Sequence, residues 1–80
     1  MNNFILRGKF IQSPNGTWVK REAIVSVGIV DRDDHKPFPD YALIGRNIYG
    51  NLWILGEFGT LLEAQEAAKE LVDILSDDRG

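Results

Sequence analysis

Apolar and polar positions alternate along the first three quarters of the chain and then switch to helical spacing. In residues 4–12 apolar side chains interleave with Arg7 and Lys9, and Ser13-Pro14-Asn15-Gly16 follows with the residue types of a tight reversal. Thr17-Trp18-Val19 supplies the return, so this stretch predicts a β-hairpin. Lys20-Arg21-Glu22 interrupts the pattern, and residues 23–30 are then apolar or β-branched at nearly every position. That is the signature of a strand buried on both faces, and hence of a central strand. Residues 31–40 are charged and proline-broken, and predict the one long loop. Residues 41–49 and 52–58 alternate again around Gly50-Asn51, a pair suited to a two-residue type I′ or II′ turn, which predicts a second hairpin.

After Gly59 the period changes. Thr60-Leu61-Leu62-Glu63 has the form of a capping box, in which the Thr60 hydroxyl accepts from the Glu63 amide while the Glu63 side chain reaches back. A helix is predicted from Leu61 to about Leu75. Ala64, Ala67, Ala68, Leu71, Ile74 and Leu75 form its apolar face. Glu63, Glu66, Glu70, Asp73 and Asp77 follow one another at steps of three and four. At about 100° per residue these five carboxylates occupy a sector of roughly 80°. Like charges at i,i+4 cost a few tenths of a kcal/mol each, and acids near a helix C-terminus oppose its dipole. The stripe is therefore not what helix electrostatics alone would select.

These elements predict an α+β fold: an antiparallel sheet of three to four strands with one C-terminal amphipathic helix on one face, in the order ββββα, as a single domain. One helix covers only one face of a sheet, yet the strands are apolar on both. One alternation in the last three strands collects Val25, Val27, Ile29, Leu43, Ile54 and Phe58. The other collects Ile24, Val30, Ala42, Ile44, Ile48, Trp53 and Leu55. The face without the helix needs a cover. A homodimer through the sheet or a different protein would supply one, and the first hairpin curling over is the alternative.

Composition narrows the function classes. A chain of 80 residues without cysteine has neither disulfides nor thiolate metal sites to reinforce its core. No apolar run approaches the ~18 residues that cross a bilayer. Met-Asn-Asn-Phe does not open a secretory signal, so a cytoplasmic protein without a membrane partner is expected. The net charge of −3 conceals an asymmetry. Residues 1–30 hold Arg7, Lys9, Lys20 and Arg21 against Glu22 alone, a balance of +3, whereas residues 31–80 carry −6. The charge excess of a uniformly basic nucleic-acid binder is missing.

Asp31, Asp33, Asp34, His35 and Asp40 form the most enzyme-like cluster. As a calcium loop it fails, because the sixth position from Asp31 is Lys36 instead of glycine and the twelfth is Ala42 instead of glutamate. With a single histidine, no two-histidine metal site is available within one chain. No nucleophile motif surrounds Ser13 or Ser26, and the glycines lack the spacing of a phosphate loop. The expectation is a non-enzyme with no catalytic, cofactor or metal residues; a metal-assisted hydrolase at the acidic loop ranks third. The leading expectation is a protein partner with a basic surface, met by Glu63, Glu66, Glu70, Asp73 and Asp77 together with Asp33 and Asp34. The runner-up is single-stranded nucleic acid, bound by Arg7, Lys9, Trp18, Lys20 and Arg46 on a basic and aromatic sheet face.

Gly16-Thr17-Trp18-Val19 with Ile24 downstream, then Phe58-Gly59-Thr60-Leu61-Leu62-Glu63-Ala64 opening a terminal helix, resembles small single-domain proteins of bacteria and their phages. Those proteins share a layout of strands followed by a threonine-x-x-glutamate-alanine helix. As a class, phage-encoded inhibitors such as anti-CRISPR proteins are similarly compact and acidic. The resemblance implies the same fold, and the likeness to those inhibitors as a class implies an inhibitory role, in which the acidic helix face would occupy a groove meant for nucleic acid.

Overall fold

A computed structural model describes residues 4–32 and 39–76. Among the described residues two three-stranded antiparallel sheets and one C-terminal helix make up an α+β fold, with six short strands where three to four were expected. The first sheet is a meander of β1 (Ile5–Arg7), β2 (Phe10–Gln12) and β3 (Trp18–Lys20), followed by a 3₁₀ turn over Arg21–Ala23. The second contains β4 (Ser26–Asp31), β5 (Tyr41–Arg46) and β6 (Leu52–Phe58), in that spatial order, and α1 spans Leu61–Leu75.

One of the additional strands arises at Gly8. Residues 4–12 were expected to run straight, but Gly8 takes φ +59° and Lys9 does not, which is the geometry of a two-residue turn with glycine first. The first longer hairpin reverses over Ser13-Pro14-Asn15-Gly16 as expected, and the second uses the same kind of turn over residues 47–50 instead of the expected two-residue turn at Gly50-Asn51. Gly16 N donates to Ser13 O at 2.9 Å and Ser13 N to Thr17 O at 2.7 Å. Likewise Gly50 N donates to Asn47 O at 3.1 Å and Asn47 N to Asn51 O at 3.0 Å. Each is a four-residue turn ending on a left-handed glycine, φ +93° at Gly16 and +85° at Gly50, and β5 consequently stops at Arg46 instead of residue 49.

β5, not the 23–30 segment, is the central strand. β4 forms an edge, and residues 24–25 lie outside it, so Val25 is 58 % exposed while Ile24 turns into the core. The alternation sets also exchange members. Between Leu43↔Gly56 and Ile44↔Ile54 the register shifts by one residue, leaving Leu55 as a bulge on β6. Parity carried along β6 fails at that point, so Trp53 joins Val27, Ile29, Leu43 and Phe58 on the helix side, and Ile54 joins Val30, Ala42 and Ile44 on the other.

One continuous core unites both sheets and the helix. Ile11 and Val19 of the meander and Phe4 before it pack with Leu43 and Leu55 of the second sheet and with Ala67 and Leu71 of α1. The meander thus closes the helix side and does not curl over the opposite face. That opposite face is roofed at one end by an ion pair. Arg32 continues the β4 pairing through its N–H to Asp40 O, and its guanidinium meets Glu57 on β6 at 2.6 Å. The register sets this pair across Ala42, which is 1 % exposed.

Candidate interaction surfaces

The helix is fixed at both ends. Thr60 is extended at the N-cap; its hydroxyl oxygen accepts from Glu63 N at 3.2 Å and its O–H donates to the Glu63 carboxylate at 3.0 Å. This satisfies one orphan amide and places a negative charge where the dipole favours it. At the other end no basic residue lies in the last turn. Instead Arg21, from the 3₁₀ turn 53 positions earlier, donates to the carbonyl of Ile74 at 3.4 Å. A cation delivered by the tertiary fold therefore stands in for the helix's own missing one.

With Ala64, Ala67 and Leu71 buried, the carboxylates run along one flank of α1. Glu66 and Asp73 are exposed and form no ion pair among the described residues. Glu63 is exposed but engaged by Thr60, and Glu70 is half-buried. Asp73 also borders a hollow between α1 and β4, lined by Val27, Ala68, Lys69 and Val72. Asp77 lies outside the described residues, as do Asp33, Asp34 and His35 of the expected acidic loop. Among the described residues no group of three or more His, Cys, Asp or Glu is arranged to hold a metal ion, and no helix is long and apolar enough to cross a membrane.

A second surface is built by the meander. Its register aligns Arg7, Phe10 and Lys20 in one cross-strand row, and Ile5, Gln12 and Trp18 in the next. Leu6, Ile11 and Val19 point the other way, and Ile11 and Val19 are buried. Phe10 and Trp18 are each 42 % exposed and line a hollow with Arg7. Three of the five residues expected to bind single strands are thus brought together. Lys9 instead sits at the turn and pairs with Glu22 at 3.4 Å, while Arg46 belongs to the other sheet. Phe10 was missed because a straight strand over residues 4–12 gives no reason to place it beside Lys20; the signal was Gly8-Lys9, whose glycine-first order is that of a tight turn.

Compared with protein-family models, curated proteins and solved structures, the chain matches none of them.

Proposed function

We propose that this chain is a non-catalytic binding protein whose helix presents its acidic flank to a basic surface on another protein. The observation that carries this proposal is an anchored helix on which Glu66 and Asp73 are exposed and have no ion pair among the described residues. A helix held at both ends offers its charges in a fixed row at 1.5 Å rise per residue, so little side-chain order is lost on docking. An inhibitor that fills a groove otherwise used by nucleic acid is the specific form proposed. Reversing Glu66, Glu70 and Asp73 together to lysine should abolish partner capture from host lysate while the circular dichroism stays unchanged. Undiminished capture by the folded triple variant would reject the assignment.

Single-stranded nucleic acid is the alternative partner, favoured by the exposed Phe10 and Trp18 beside Arg7 and Lys20. Aromatic stacking on such a platform contributes about 1–3 kcal/mol per base. Labelled oligonucleotides should then shift at low salt, with Trp18→Ala and Arg7→Ala each weakening the shift; absence of any shift at low salt disposes of this alternative.

A further inference from the structure

Side chains in a strand stand roughly perpendicular to the sheet, so the register of the meander fixes what its outer face presents. Ile5, Arg7, Phe10, Gln12, Trp18 and Lys20 lie on that face, and none of them is acidic. Neither Arg7 nor Lys20 has an ion pair among the described residues. In a chain whose net charge is −3, this face thus carries two cations and no anion.

The two aromatic side chains of the face are diagonal neighbours. Phe10 pairs with Lys20 and Gln12 with Trp18, so Trp18 stands one strand over from Phe10 and two residues along. Diagonal neighbours of this kind are about 7–8 Å apart. Two upright rings at that distance leave a slot, and with Arg7 they line a hollow of about 350 Å³, within the range of about 300–1,000 Å³ of small-molecule sites. Stacked bases follow one another at about 3.4 Å, so one base lying between two rings needs them about 7 Å apart. The register therefore sets Phe10 and Trp18 at the separation that admits a single planar base.

We infer that Phe10 and Trp18 clamp one unpaired base of a single-stranded nucleic acid, with Arg7 and Lys20 holding the phosphates on its two sides. The inference rests on the nucleic-acid reading of this face and adds the unit that the face recognises. Charge and shape together choose a nucleotide within a strand over other occupants. Arg7, Phe10 and Lys20 form one cross-strand row, so the two cations lie on opposite sides of Phe10, about 10 Å apart at two strand spacings. A nucleotide inside a strand has a phosphate on either side of its base. A free monophosphate has one, and leaves the second cation idle. An acidic peptide would satisfy both cations but brings no flat group to the slot. Because every base has a π-face, the clamp selects an unstacked base and is tolerant of sequence.

Fluorescence anisotropy of a labelled five-nucleotide oligothymidylate, titrated with the full chain, tests the clamp. The affinity should fall with salt at a double-logarithmic slope of about −1.4, two phosphates at about −0.7 each, and Arg7→Ala and Lys20→Ala should each halve that slope. Phe10→Ala and Trp18→Ala should each weaken binding about tenfold with the circular dichroism unchanged. With the unaltered protein, a strand holding one central thymine between abasic positions should bind about as tightly as the parent strand. A fully abasic strand should bind at least about tenfold more weakly. If the single-thymine strand binds no better than the abasic one, the two rings take separate bases and the clamp is overturned. Equal competition by thymidine monophosphate, or by a polyglutamate peptide, overturns the choice of a strand as occupant. If no strand binds at low salt, the nucleic-acid reading fails and the inference with it. Strand binding that is indifferent to Phe10→Ala rejects the clamp while that reading stands.

Discussion

Single residues decide where this small core has no slack. A Cβ on Gly45 would lie 2.9 Å from Leu55 Cδ1 and 3.0 Å from Ile24 Cγ2, and both neighbours are themselves buried. Both belong to the same buried core as Leu43 and Leu71, so Gly45→Ala should destabilise by about 1–3 kcal/mol. Gly28 is the natural control. Its nearest atom would be Ile44 Cγ1 at 3.7 Å, an ordinary contact, and Gly28→Ala should change stability by less than about 1 kcal/mol. Urea unfolding of the two variants checks the difference; equal losses would mean that the close packing around Gly45 relaxes freely. Gly56 is an intermediate case, since the ring it would meet belongs to Phe58, which is only half-buried and has room to rotate.

At the scale of elements, the parts legible in the sequence were those whose hydrogen bonds are local. The helix limits and the Thr60 cap follow from four consecutive residues, and so did the existence of both long hairpins. The turn geometry of the second was less legible because it depends on side chains that act at a distance of two to four residues. Asn47 Oδ1 accepts from the amides of Tyr49 at 2.9 Å and Asn51 at 3.0 Å, and Asn15 Oδ1 accepts from Thr17 N at 3.0 Å. These bonds stabilise the longer turn over the two-residue one. Asn47→Ala should therefore cost about 1–2 kcal/mol, more than expected for an ordinary loop position, and Thr60→Ala about 1 kcal/mol through the lost cap. Thermal unfolding of both variants tests the ranking, and an Asn47→Ala chain as stable as the parent would show that backbone bonds alone hold the turn. Of the candidate surfaces, the acidic stripe was legible because it is a property of one helix. The meander's aromatic platform was not, since it exists only once Gly8 folds β1 against β2. Nor was the β6 bulge, for nothing in Trp53-Ile54-Leu55 distinguishes a shifted register from a regular one.

For the molecule as a whole, the question is how strands of three residues survive. Isolated, a sheet of β1, β2 and β3 is too short to be stable in water. It persists by lending Ile11 and Val19, with Phe4, to the core formed by Leu43, Leu55 and Leu71, and by sending Arg21 to the end of α1. In return the helix acquires the cation its own last turn lacks. The two sheets are thereby tied through both the apolar core and the helix terminus, which predicts that they unfold together. Ile11 is fully buried, so Ile11→Ala should cost about 2–5 kcal/mol, a large fraction of the 5–15 kcal/mol that domains possess. If the coupling holds, the loss extends to the helix, about 50 or more positions away in sequence. The far-ultraviolet helical signal and the tryptophan fluorescence of Trp18 and Trp53 should then shift to lower urea by the same amount, in coincident transitions. A variant in which the helical signal keeps its parent midpoint while the fluorescence moves would show the meander to be an appendage to a self-sufficient βββα unit, and both the Arg21 contact and the shared core would lose the role assigned to them.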